Sequence, residues 1–134
     1  MENYNGGYLF SCVNKGNVVG KTYVGGVVSD IRAGTYIDSC YNTGNVTASG
    51  VIVSNNLTVC GGVVAESYGN ISNCFSTGIV SGKANYVGGI LGLASANITV
   101  YRVRGMADVY RDGVYVETAA WDKNLSGGLY GSIT

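Results

Sequence analysis

Along the chain, valine, isoleucine and tyrosine alternate with small or polar residues in short runs, broken at close intervals by glycine, asparagine and serine. That pattern predicts many short extended segments separated by tight corners. No Ala/Leu/Glu/Lys stretch shows apolar positions at helical spacing, so no helix is expected. The class is all-β.

The pattern also repeats. Ser11-Cys12-Val13-Asn14-Lys15-Gly16-Asn17-Val18 aligns with Ser39-Cys40-Tyr41-Asn42-Thr43-Gly44-Asn45-Val46 and with Asn73-Cys74-Phe75-Ser76-Thr77-Gly78-Ile79-Val80. A second block follows each: Tyr23-Val24-Gly25-Gly26-Val27-Val28, Val59-Cys60-Gly61-Gly62-Val63-Val64 and Tyr86-Val87-Gly88-Gly89-Ile90-Leu91. Cysteine and first glycine are 13 residues apart in the first unit, 21 in the second and 14 in the third. About seven extra residues therefore sit near Ser49 to Leu57, most simply as a loop. A fourth, decayed unit is read with Ile98-Thr99-Val100-Tyr101 against Ile71-Ser72-Asn73-Cys74, and with Ser126-Gly127-Gly128-Leu129 echoing the second block. The chain is thus one repeat domain, 1–134, with units at roughly 8–35, 36–70 and 71–97 and a charge-rich terminal unit at 98–134.

A period near 28 with several extended segments per unit predicts a short right-handed parallel β-helix of about four to five coils, stacked roughly 4.8 Å apart. Propeller blades, at about 40–50 residues, are too long for this period. Equivalent positions would fall above one another. Cys12, Cys40 and Cys74 would form one internal ladder, Val18, Val46 and Val80 another, and Val27, Val63 and Ile90 a third. Gly16, Gly44 and Gly78 are expected at a repeated corner that needs positive φ. Gly25-Gly26, Gly61-Gly62 and Gly88-Gly89 mark either close backbone approach or a second kink. Tyr8-Leu9-Phe10 begins a repeat with no polar cap before it, which predicts an uncapped edge and end-to-end pairing of copies.

Charge narrows the functions. Eight basic and eight acidic residues cancel, which argues against nucleic acid as a partner. No polybasic segment draws the chain to an anionic membrane, and no apolar run approaches the roughly 20 residues of a membrane span. Met1 to Gly7 has neither the basic nor the apolar region of a signal peptide. Half of the charged residues lie between Arg102 and Lys123, as befits a terminal repeat with one face in solvent.

Little of the chemistry points to catalysis. Histidine is absent, so no cysteine has a histidine base beside it, and there is no Cys-x-x-Cys metal motif. No cofactor or metal site is expected. The cysteines read as small buried hydrophobes with free thiols, because in-register side chains point the same way. The carboxylates Glu2, Asp30, Asp38, Glu66, Asp108, Asp112, Glu117 and Asp122 show no shared register, Asp38 against Asn73 and Val100 excepted. They read as solvated charge and not as the paired groups of a glycosidase. Eleven tyrosines and thirteen asparagines make sugar binding the better reading, with Tyr23 and Tyr86 at matching positions.

The strings Asn73-Cys74-Phe75-Ser76-Thr77-Gly78, Tyr86-Val87-Gly88-Gly89-Ile90-Leu91-Gly92 and Ser39-Cys40-Tyr41-Asn42-Thr43-Gly44-Asn45-Val46-Thr47 resemble the GLUG-motif repeat. The segment Ala120 to Gly128 is similar to one that closes such arrays. The resemblance spans about residues 8 to 100. It implies a repeat module of a larger exported bacterial protein, extracellular or on the cell surface, as in adhesin-like proteins and the non-catalytic regions of IgA-cleaving metallopeptidases. The resulting expectation is a non-catalytic structural or adhesive module with a protein or glycan ligand. The alternative is a carbohydrate-binding or polysaccharide-degrading β-helix fragment.

Overall fold

The computed structural model describes residues 2–3, 6–50, 58–84, 86–94, 98–106, 108–118 and 130–133. Among them there is no helix, and three successive passes, from Tyr8 to Ala94, visit the same five sheets in the same order. Sheet I pairs β2 (Tyr8–Phe10), β7 (Tyr36–Asp38), β12 (Asn70–Ser72) and β17 (Val100–Tyr101). Sheet II pairs β3 (Val13–Asn14), β8 (Tyr41–Asn42), β13 (Phe75–Ser76) and β18 (Arg104–Gly105). Sheet III runs β4 (Val18–Gly20), β9 (Val46–Ala48), β14 (Val80–Gly82), β19 (Asp108–Arg111) and β20 (Val114–Thr118). Sheet IV holds β5 (Tyr23–Gly25), β10 (Val59–Gly61) and β15 (Tyr86–Gly88). Sheet V holds β1 (Glu2–Asn3), β6 (Val28–Ile31), β11 (Val64–Ser67), β16 (Leu91–Ala94) and β21 (Tyr130–Ile133). Every pairing is parallel except β19 with β20.

Register carries each repeat onto the next. Val18 pairs with Val46, Val46 with Val80 and Val80 with Val109, so the valine ladder gains a fourth rung. Cys12, Cys40 and Cys74 sit in one core cluster with Val103, and Val27, Val63 and Ile90 line it too. The middle rungs Ile37, Cys40, Val46 and Val63 are wholly buried, while Leu9, Cys12, Val18 and Val27 at the first level are only partly so. Among the described residues, β1 pairs with β6 and extends sheet V by one strand, while β2, β3, β4 and β5 are the outermost strands of their sheets.

Two sequence expectations change. Gly16, Gly44 and Gly78 are not at positive φ; among the described residues the positive-φ glycines are Gly6, Gly34 and Gly113. The left-handed residue at each corner instead precedes the cysteine position: Ser11 (56°), Ser39 (56°), Asn73 (52°) and Arg102 (51°). Gly44 and Gly78 are small for a different reason. A Cβ there would run into the carbonyl of Gly16 and of Gly44, one level earlier. An asparagine two residues before the glycine shapes this corner. Asn42 Nδ2 donates to Gly44 O at 2.7 Å while Gly44 N–H donates to Asn42 Oδ1 at 3.3 Å, and Asn14 does the same with Gly16. The paired glycines are also sites of close approach: a Cβ on Gly25 or Gly61 would strike the Val28 or Val64 carbonyl.

The fourth unit is displaced by two residues from its sequence alignment. Ile71 pairs with Val100, not Ile98, which brings Arg102 to the left-handed corner and Val103 to the cysteine position. A shift of two keeps the same side-chain face, so apolar alternation alone does not separate the registers. The second unit's extra length is placed by register as well. Gly20 pairs with Ala48, an offset of 28, and Tyr23 with Val59, an offset of 36, so eight extra residues relative to the first unit enter between them. Residues 51–57, and the echo over Ser126 to Leu129, lie outside the described residues.

Candidate functional site

Outward-facing aromatic side chains gather on sheets I and II. Tyr8, Phe10, Tyr36 and Tyr101, all on sheet I strands, are between 45% and 68% exposed. In-register pairing places equivalent rings one above another: Tyr8 and Tyr36 stack with centroids 5.4 Å apart, and Tyr41 and Phe75 with centroids 4.5 Å apart and planes within 8°. Polar groups stand among them. Asp38 Oδ1 accepts from Asn73 Nδ2 and Ser39 Oγ, each at 2.9 Å, which holds its carboxyl below the usual carboxylate range. Arg102 lies over the Tyr101 ring, 5.0 Å from its centroid. Next to it, Asn73, Phe75, Arg102 and Arg104 line a shallow cavity of about 280 Å³. The wall offers flat apolar faces, amides, one carboxylate and two guanidinium groups.

A second feature lies between sheets IV and V. Asp30 and Glu66 occupy paired positions on β6 and β11, and the backbone of Glu2 pairs with Asp30. This pairing overturns the expectation of no shared register among these carboxylates, because the repeated blocks end at Val28 and Val64, two residues short of them. Counting four residues on from Gly26, Gly62 and Gly89 reaches Asp30, Glu66 and Leu93. Arg32 makes an ion pair with Asp30 at 2.8 Å, and Tyr68 donates its hydroxyl to Glu66 Oε1 at 3.0 Å. That hydrogen bond raises the Tyr68 phenol; for Tyr23, burial acts first and the Glu66 and Asp30 charges add to it. Tyr23, Ser29, Asp30, Arg32 and Glu66 line a cleft of about 180 Å³. One level on, Leu93 replaces the carboxylate and packs with Val59, Ala65 and Tyr86, so the cleft turns apolar. Its volume is below the roughly 300–1,000 Å³ of pockets that enclose a whole small ligand. It can grip an edge or a single group.

Asp38, in contrast, pairs in register with Ser72 and not with Asn73, though Asn73 bonds to it. Tyr23 and Tyr86 do occupy one ladder, with Val59 between them. Cys60 takes the Val24 and Val87 rung of that ladder, and burial pushes its thiol up to about 12. The other three thiols form a file. Cys12 N–H donates to Cys40 Sγ at 3.4 Å, and hydrogen bonds from Cys74 and Cys12 draw Cys40 down while Cys74 is pushed up. Among the described residues no group of three or more His, Cys, Asp or Glu side chains is placed to hold a metal ion.

No family model, curated protein or solved structure matches this chain.

Proposed function

We propose that the chain is a short right-handed parallel β-helix, a GLUG-type repeat module of an exported bacterial protein, and that it acts without catalysis as an adhesive surface for glycans. The observation that carries the reading is the wall of sheets I and II. Stacked, outward-facing rings beside Asn73, Asp38, Arg102 and Arg104 match the needs of a sugar chain, whose apolar ring faces pack on aromatics while its hydroxyls take amide and charged partners. The return of the chain to five parallel sheets in fixed order supports the β-helix. An array of mucin-type, plant-wall and bacterial glycans, with host matrix proteins alongside, tests the reading. Binding that Tyr36→Ala and Phe75→Ala each weaken tenfold or more supports it. Binding untouched by both variants, or silence across the array, removes it.

A second reading, polysaccharide cleavage, is favoured by one observation: Asp30 and Glu66 stand on adjacent strands beside a tyrosine-edged cleft. The strand spacing of about 4.8 Å lies near the roughly 5–5.5 Å carboxyl separation of retaining glycosidases. Against it, both carboxylates are already engaged as acceptors, by Arg32 and by Tyr68. Release of reducing sugar by the wild type, abolished in Asp30→Asn and Glu66→Gln, would establish this second reading over the first.

A further inference from the structure

From the file of stacked thiols we propose that Cys12 and Cys40 form an oxidisable pair: small disulfides or diamide-type oxidants convert it to a disulfide that staples the first level of the stack to the second. The register sets the geometry. Tyr41 N–H donates to Cys12 O at 3.0 Å and Cys12 N–H donates to Cys40 Sγ at 3.4 Å, so the two residues hold equivalent corner positions between the Phe10–Asp38 and Val13–Tyr41 pairs. Neighbouring strands run about 4.8 Å apart, within the 4.4–6.8 Å that Cα atoms span in disulfides; because in-register side chains point the same way, closing the bond requires the side chain of Cys12, the partly exposed member, to turn toward Cys40. Left in their present contact the thiols are free.

Access separates the members of the file. Cys12 lies at the first level of the core and is only partly buried, whereas Cys40, Cys60 and Cys74 are buried. Cys12 is therefore the residue that meets a reagent, and Cys40 the one that resolves. The Cys12 thiolate attacks one sulfur of a small-molecule disulfide and expels the other half as a thiolate, leaving a mixed disulfide. The Cys40 sulfur then attacks Cys12 Sγ and expels the second half. Two protein thiols lose two protons and two electrons; a small disulfide leaves as two thiols, whereas a diamide-type reagent takes the first thiolate on its N=N bond and leaves as the hydrazine when the second displaces it. Cys40 is suited to the second step because the Cys12 N–H points a hydrogen-bond donor at its sulfur, stabilising the thiolate. Cys74 donates its thiol proton to Ser72 O at 3.1 Å and stays a buried thiol, and Cys60 lies on another ladder, away from the file.

The test uses the whole chain. Native protein is treated with oxidised glutathione or with diamide, its remaining thiols are alkylated, and its peptides are mapped by mass spectrometry. Two of the four cysteines should resist alkylation, in one cross-linked peptide pair containing Cys12 and Cys40, with Cys60 and Cys74 alkylated. Cys12→Ser should slow thiol loss at least tenfold, and Cys60→Ser should leave the rate unchanged. Native mass and circular dichroism check that each variant is folded, and the wild-type map stands without them. Four alkylated cysteines after treatment, a Cys40–Cys74 link, or intermolecular Cys12–Cys12 dimers as the main product would each overturn the proposal.

Discussion

Gly16, Gly44 and Gly78 share one motif but meet different neighbours. A Cβ on Gly16 would touch only Asn14 Oδ1, at 3.7 Å, while on Gly44 or Gly78 it would enter the backbone one level earlier. Gly16→Ala is expected to change stability by less than about 0.5 kcal/mol, as at an open surface. Gly44→Ala should cost about 1–3 kcal/mol or more, because a rigid carbonyl cannot move aside without breaking the ladder. Urea melts of the two variants check this contrast; equal losses would mean that the glycines serve backbone freedom after all. Cys60 supplies a pH signature. Below its ordinary value of 9.0 the thiol is neutral folded or unfolded. Between there and about 12 the unfolded chain ionises first, so stability falls as pH rises through this window. Cys60→Val matches the neighbouring rungs Val24 and Val87. It should hold stability within about 1 kcal/mol at pH 7, and lose less than the wild type between pH 7 and 10.5.

At the scale of elements, much was legible and the failures have specific causes. Cysteine, valine and paired-glycine rungs could be read because in-register stacking demands the same size at the same place. The corner conformation could not, because Ser11, Ser39, Asn73 and Arg102 share no side-chain chemistry, only a backbone state. Tyr8 and Tyr36 begin successive units 28 residues apart, yet their stacking depends on which face they take, and Tyr23 and Tyr86 were preferred on spacing alone. The hairpin of β19 and β20 was missed although Asp112-Gly113 is its marker: both residues have positive φ, as a type I′ turn requires, and Arg111 pairs with Val114. That hairpin folds β20 antiparallel along the last strand of sheet III and covers an edge that would otherwise recruit another chain. Gly113→Val disfavours the turn. It should raise the concentration-dependent mass measured by light scattering, whereas Gly16→Ala should leave it flat.

For the whole molecule, stability should be graded along the stack. Each level contacts only its neighbours, so the least-covered level opens first. Leu9, Cys12 and Val18 are partly exposed where Ile37, Cys40 and Val46 are fully buried. Amides of Val18 and Tyr8–Phe10 are therefore expected to exchange with deuterium at least tenfold faster than those of Val46 and Val63, which donate to Ile79 O and Ile90 O one level further on. Uniform protection across the levels would indicate a single cooperative unit.

The unequal second unit has a further consequence. Ser49 and Gly50 still donate to Gly20 and Lys21, and Val59 donates to Thr22, so the ladder resumes where it left off despite eight additional residues. At this position chain length is decoupled from architecture. The interval between Gly50 and Val59 is thus a site for grafting: a foreign peptide spliced in there leaves the rungs on either side with their partners.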